Sequence, residues 1–400
     1  MTNNSTPISL SERNKLIDTL RGFALTGVLI ANLTGFIAYA LPEAMMKLLI
    51  STPADIATEK FVTVFVENKF ITLFALLFGY GFGVIIDRTK TKGLDVVSFF
   101  SRRMFFLLLI GIIHLAIWWG EILSTYALCG FLLLLFRNMN NRKLLISGLI
   151  MLLLITPIVQ AFRWAFIPNN VEVISNLQFK YVDAMLSGKI ASIVEYNYKS
   201  LWYIIIVTMG QLKDMSEILA KFLLGFFIMR SGFFSGVLNI KLIRIYWSIA
   251  LAIALIYLLQ FPFLKYSGME IKSIGLKTLH FAFERVGILS LTSFYVLSLS
   301  WLYSYYPGTK LFSWFRLIGT MSLTNYLAQT LFFVLIFYGT GFGLLGKMHL
   351  QWTIPIAVLI YLSQVGFCSI WLKYMRYGPA EWIWRQVSYG RKLPLRKTSP

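Results

Sequence analysis

Arg103-Met-Phe-Phe-Leu-Leu-Leu-Ile-Gly-Ile-Ile-His114-Leu-Ala-Ile-Trp118-Trp-Gly-Glu121 is the stretch on which the reading of the chain turns. Two arginines, Arg102 and Arg103, open an apolar run that then carries a histidine, a tryptophan and a glutamate. His114, Trp118 and Glu121 are spaced i, i+4, i+7, so on a helix they share one face. His114 lies eleven residues past Arg103, ~16 Å along a helix axis, near the middle of a bilayer core of ~30 Å. An ionisable side chain at that depth is costly and is by default a functional-site hypothesis; the alternative is a structural histidine bonded to a neighbouring helix.

The rest of the chain has the same character. Of 400 residues, 58% are hydrophobic and 14% charged, and the mean hydropathy is +0.71. Apolar runs recur at about 17–38, 70–86, 104–120, 122–136, 144–165, 214–230, 243–262, 280–303, 317–338 and 353–373, each near the length a crossing helix needs. The expectation is an all-α, polytopic transmembrane helical bundle of about ten spans, forming one domain. Residues 1–15 read as a disordered polar N-terminus, 166–213 as an external loop with an interfacial helix, and 374–400 as a cytoplasmic basic tail. The first apolar run ends in Ala38-Tyr39-Ala40, which imitates a signal-peptidase site, but Arg21 and Asn32 inside it argue against a disposable leader.

Lys and Arg number 37 against 17 Asp and Glu, a net charge of +20. In a soluble chain this excess suggests nucleic acid; here it fits short loops held against anionic lipid, and no nucleic-acid partner is expected. Placing Arg88, Lys90, Lys92, Arg102 and Arg103 in the cytoplasm puts the other basic loops and the tail there too, an N-in, C-in topology. The expected location is a membrane with the basic side facing the cytoplasm. Cys129 and Cys368 sit inside apolar runs, and His114, His280 and His349 form no two-histidine zinc pattern, so no disulfide framework and no metal site is expected.

Several polar residues fall inside the spans. Asp18 and Arg21 are i, i+3; they read either as an interface pair or as an arginine facing a cavity where it clamps a phosphate. Gly79, Gly81 and Gly83 alternate in an apolar helix, which favours close helix packing. Tyr126 follows Glu121 across a short turn, so the third and fourth spans form a hairpin with Glu121 near its outer tip, about 10 Å of rise from His114. Glu284 and Arg285 read first as a mutually neutralising pair between helices and otherwise as substrate-pairing groups. Ser322, Asn325 and Gln329 form one stripe, usual as interhelical glue but also able to line a polar cavity. The aromatic tail with Trp382, Trp384 and Arg385 reads as an interfacial anchor.

Taken together, six motifs carry a resemblance. Leu20-Arg21-Gly22-Phe23-Ala24-Leu25 with Asn32, Phe70 to Gly83, Ile110-Gly111 through His114 to Gly120-Glu121-Ile122-Leu123, Tyr126-Ala127-Leu128-Cys129-Gly130, Leu323-Thr324-Asn325-Tyr326 and Gly378-Pro379-Ala380-Glu381-Trp382 stand in family order. The chain resembles the YeiB-like family of bacterial integral membrane proteins over almost its whole length. That family is similar to transmembrane acyltransferases such as the heparan-α-glucosaminide N-acetyltransferase and the acyltransferase-three proteins. The resemblance implies transfer of an acyl or acetyl group from cytoplasmic acyl-CoA to an envelope or extracytoplasmic acceptor, a small molecule or glycan.

The Arg21-Gly22…Asn32 element matches the first-helix motif of the sugar N-acetyltransferases, whereas acyltransferase-three proteins place a histidine where this chain has Asn32. On this reading His114, Glu121 and Asn32 are the catalytic candidates, with His114 as proton acceptor. Arg21, Arg102 and Arg103 would hold the phosphates of acyl-CoA, and Asn325 and Gln329 would polarise the thioester carbonyl. Trp118, Tyr126, Glu284 and Arg285 are the expected acceptor contacts. The rival reading is a transporter or permease for a small solute or lipid precursor, with the same ionisable groups as a relay. Homo-oligomerisation is left open by either.

Overall fold

A computed structural model describes residues 14–39, 41–167, 171–208, 210–235, 238–266 and 273–397, and among them the secondary structure is helical. The expectation for 1–15 therefore falls almost wholly outside the described residues. In chain order the α-helices are α1 Lys15–Thr34, α2 Glu43–Leu49, α3 Pro53–Phe61, α4 Lys69–Thr91, α5 Val96–Leu115, α6 Leu123–Leu133, α7 Asn141–Ile150, α8 Thr156–Phe166 and α9 Val171–Leu186. They continue as α10 Ile190–Thr208, α11 Gly210–Arg230, α12 Ile240–Tyr266, α13 Ile274–Tyr305, α14 Lys310–Thr320, α15 Ser322–Phe337, α16 Thr353–Tyr374 and α17 Pro379–Tyr389.

The helix starts are legible in side-chain chemistry. Asn14 caps α1 by accepting from the backbone N–H of Leu16 and Ile17, and Asp95 caps α5 through Val97 and Ser98. Thr52 and Asp55 form a reciprocal capping box on α3. Gly390, at φ 63°, ends α17 in the left-handed conformation that glycine adopts without strain.

Seven helical segments among the described residues are long and apolar enough to cross a membrane: Lys15–Ile37, Pro53–Thr91, Val96–Leu115, Asn141–Phe166, Ile240–Gln260, Ile274–Tyr305 and Leu350–Tyr374. An eighth arises if α14 and α15, bent by 88° at Met321, count as one broken span. The other two of the ten expected stretches are helical but differ in kind. Residues Leu123–Phe136 form a shorter apolar helix. Helix α11 carries Lys213, Asp214, Glu217 and Lys221 along its first half. The stretch 166–213, expected as an external loop with an interfacial helix, contains α9 and α10, and Tyr196 of α10 donates its hydroxyl to the Leu177 carbonyl of α9.

Two close crossings organise the core. A Cβ on Gly22 of α1 would overlap the Phe315 carbonyl of α14, and one on Gly319 would overlap the Asp18 carbonyl, so the two backbones touch. Helices α4 and α11 cross in the same manner at Gly79 against Phe222 and at Gly225 against Leu76. The alternating glycines of α4 thus serve close packing, as expected, and Gly81 lies beside Arg21 Nη2.

Candidate functional site

The decisive stretch folds differently from a single helix. Helix α5 begins at Val96, ahead of the expected start, and ends at Leu115, so residues 116–122 form a turn and His114 sits in the last helical turn. Trp118 and Glu121 are not on its helical face. The turn is itself covered: Asn197 Nδ2 donates to the Ala116 carbonyl and the Tyr338 hydroxyl to the Ile117 carbonyl. Trp118 is buried against Phe36, ring centroids 5.3 Å apart.

Glu121, expected at an outer tip, folds back over Gly111 and accepts from the backbone N–H of Ser124 at 2.9 Å and from its hydroxyl. A carboxylate at the start of α6 satisfies orphan donors of its first turn, the physical reason it lies inward. His114 is buried, with Nε2 2.8 Å from Thr330 Oγ1 of α15, and its Nδ1 has no hydrogen-bond partner among the described residues. Its ring lies 5.3 Å from that of Tyr326.

Tyr326 also lines a cavity of about 410 Å³ that opens between α1, α4, α5, α15 and α17. Five cations, Arg21, Arg88, Lys92, Arg103 and Arg385, and two carboxylates, Asp18 and Glu381, are on its wall. Both carboxylates are engaged. Asp18 pairs with Arg21 Nη1 at 3.0 Å. Glu381 accepts from the backbone N–H of Leu323 at 2.7 Å, that of Thr324 at 3.0 Å and the Thr324 hydroxyl at 2.5 Å. The break at Met321 makes this possible, because it frees the first N–H groups of α15 for a capping carboxylate from another helix. The cations on this wall are exposed (Lys92) or half-buried (Arg21, Arg88, Arg103 and Arg385), whereas Leu123, Tyr126 and Tyr326 on the same wall are buried.

The structure brings Arg21, Arg103 and Tyr126 to this cavity and leaves other expected site residues off its wall. Arg102 is exposed outside it. Asn325 Nδ2 donates to the carbonyls of Ile318 and Met321 at the helix break, both of which also accept a backbone N–H, and packs on Cys368 Sγ at 3.2 Å. Gln329 Nε2 meets Gln364 Oε1 at 3.3 Å in the buried interior. Asn32 lies half-buried near the far end of α1. Arg88, Lys92, Glu381, Trp384 and Arg385 belong to the cavity although sequence reasoning placed them as topology or interface anchors; the Gly378-Pro379-Ala380-Glu381-Trp382 motif was the available signal.

Glu284 and Arg285 sit elsewhere, in a buried ion cluster. Arg285 Nη1 bonds Glu217 at 2.9 and 3.1 Å, Arg285 Nη2 bonds Glu284 at 3.1 Å, and Lys221 bonds Glu217 at 2.7 Å. Glu217 and Glu284 are neutralised there by Arg285, Lys221 and, at 3.9 Å from Glu217, Lys213, as the first reading of Glu284 and Arg285 expected, though the main partner is Glu217 of α11. No group of three or more His, Cys, Asp or Glu able to hold a metal occurs among the described residues.

A family described as "Protein of unknown function (DUF418)" matches residues 228–391. The chain is also 28% identical, over 97% of its length and 100% of the relative, to the uncharacterized protein YeiB of Escherichia coli. The chain is similar to YeiB along nearly its whole length. It is likewise similar to the uncharacterized protein YxaH of Bacillus subtilis, 29% identical over 98% of both chains, and to an uncharacterized 39.9 kDa protein in the amylase 3′ region of Bacillus acidopullulyticus, 29% identical over 97% of both. No solved structure matches. The matched family segment spans the broken α14–α15 pair and α17, so it includes the Leu323–Tyr326 and Gly378–Trp382 motifs that meet at Glu381.

Proposed function

We propose that this YeiB-like protein is a transmembrane acyltransferase of the bacterial cytoplasmic membrane, taking its acyl group from cytoplasmic acyl-CoA. The observation that carries the reading is the cavity: a cationic mouth, apolar walls and an inner end at Tyr326, whose ring stands 5.3 Å from His114. An amphiphile with phosphates at one end and an acyl chain at the other matches that polarity. The basic end is the cytoplasmic side by the positive-inside rule, which gives an N-in, C-in chain.

In this reading Arg21 and Arg103 hold the phosphates, and Asp18 fixes Arg21 through their 3.0 Å pair. Glu381 keeps the mouth in shape by tying α17 to α15. His114 takes the proton of the acceptor hydroxyl or amine, after Thr330 has released Nε2. Tyr326 separates His114 from the cavity, so the mechanism requires that ring to move. The acceptor is a small molecule or glycan on the far side.

The test is thermal stabilisation of purified protein by acetyl-CoA, competed by CoA, followed by acyl transfer in His114→Ala. Stabilisation with loss of transfer in the variant is the expected result; transfer undiminished in His114→Ala overturns the assigned role. A permease is the second reading, favoured by the 88° break whose freed helix start faces the cavity, an arrangement transporters use at their substrate sites. Solute uptake into proteoliposomes without acyl-CoA distinguishes it.

A further inference from the structure

The geometry points to a phosphate subsite split between α5 and α17, in which Arg103 and Arg385 bind a ligand phosphate bearing at least two negative charges. This deepens the acyl-CoA reading but does not depend on acyl transfer.

Three observations carry it. First, Arg103 is fixed from its back. Its guanidinium stacks on Trp384 at 4.2 Å, its carbonyl accepts from Trp384 Nε1 at 2.9 Å, and Nη1 reaches Ser388 Oγ at 3.5 Å. Both partners, Trp384 and Ser388, lie on α17. A stacked, anchored guanidinium has little rotamer freedom left to lose on binding. Second, Arg103 Nε is buried and has no hydrogen-bond partner among the described residues, a donor that a ligand oxygen would satisfy. Third, Arg385 of α17 is on the same cavity wall as Arg103, and its guanidinium is likewise held against an aromatic ring, Tyr377, at 4.7 Å. Two guanidinium groups held on one wall offer forked donors that match a phosphate dianion.

The consequence for the fold is that the binding site is incomplete without α17. Tertiary placement, rather than the aromatic anchor character of the tail, makes Arg385 a ligand group. Trp384 is then a positioning residue: it aims Arg103 without touching the phosphate.

The experiment uses full-length protein in phosphatidylcholine nanodiscs, with inorganic pyrophosphate as the probe in isothermal titration. Arg103→Gln and Arg385→Gln should each weaken pyrophosphate at least tenfold, and Trp384→Phe should weaken it less than Trp384→Ala. Arg103→Lys, which keeps the charge and guards against loss of folding, should retain part of the affinity. Arg102→Gln, exposed and off the wall, should leave it unchanged. Equal losses from Arg102→Gln and Arg385→Gln, or no loss from Arg385→Gln, would overturn the subsite. A parallel arm adds phosphatidic acid to the nanodiscs. Arg385-dependent stabilisation by that lipid, with pyrophosphate inert, makes the ligand a lipid headgroup; binding of pyrophosphate makes it a soluble phosphate. Pyrophosphate bound through Arg385 with acetyl-CoA ignored sinks the acyl-CoA reading and keeps the subsite. Acyl transfer undisturbed in Arg385→Gln does the reverse.

Discussion

Two regions of this protein hold arginine inside an otherwise apolar bundle, and they use it oppositely. Around Arg285 the charges pair with one another: Glu217 takes Arg285 Nη1 and Lys221, and Glu284 takes Arg285 Nη2. Around Arg103 the charged groups instead line about 410 Å³ of cavity, where Asp18 pairs with Arg21 and Glu381 caps the start of α15. Intramembrane charge alone therefore does not mark a candidate site. Charge beside volume that a ligand can fill does.

The contrast can be broken from either side. The largest effect is expected at the closed cluster: Arg285→Met leaves Glu217 and Glu284 buried with less compensation and should destabilise the fold by about 3–5 kcal/mol, read as loss of denaturant resistance in detergent. It should leave the affinity of the remaining folded protein for acetyl-CoA unchanged. At the cavity the signature inverts. Arg21→Gln should cost about 1.5–3 kcal/mol of ligand binding, the usual worth of a hydrogen bond to a charged group, beyond any stability lost with its Asp18 pair; an unchanged Kd for acetyl-CoA would remove Arg21 from the site.

Glu381→Gln tests the join between the regions of sequence that build the mouth. Losing a charged cap of α15 should lower stability by about 1–2 kcal/mol and loosen α17, seen as faster hydrogen exchange over 379–389. Protection in 379–389 equal to that of the parent would show that Glu381 does not hold the helix. The smallest effect is expected from Thr330→Val, about 0.5–1.5 kcal/mol for one neutral hydrogen bond. Any larger loss of transfer than of stability would mark the His114–Thr330 contact as part of the chemistry.

The comparison also shows where a linear reading reaches. Arg21, Arg103 and Tyr126 are on the cavity wall and also stand out in sequence, as a polar or aromatic group in an apolar run does. Asn325 and Gln329 stood out equally, yet their partners are the carbonyls of a broken helix and another glutamine. Glu217 and Lys221 drew no attention, although their i, i+4 spacing in an apolar run was a signal. His114, Trp118 and Glu121 shared a helical stripe on paper, but the helix ends at Leu115, where the chain must turn beneath Asn197 and Tyr338. Periodicity reports which faces would coincide if a helix continued; it does not report where tertiary contacts stop one.

By itself the sequence determined that this is an all-helical membrane protein, that its basic residues gather at chain turns, and that its YeiB-like motifs run in order, since hydropathy and local capping act over a few residues. Only the tertiary structure decided which arginines are neutralised and which face a cavity. That depends on partners 57 to 285 residues away in sequence, such as Glu381 on Leu323 and Thr324 and Ser388 on Arg103.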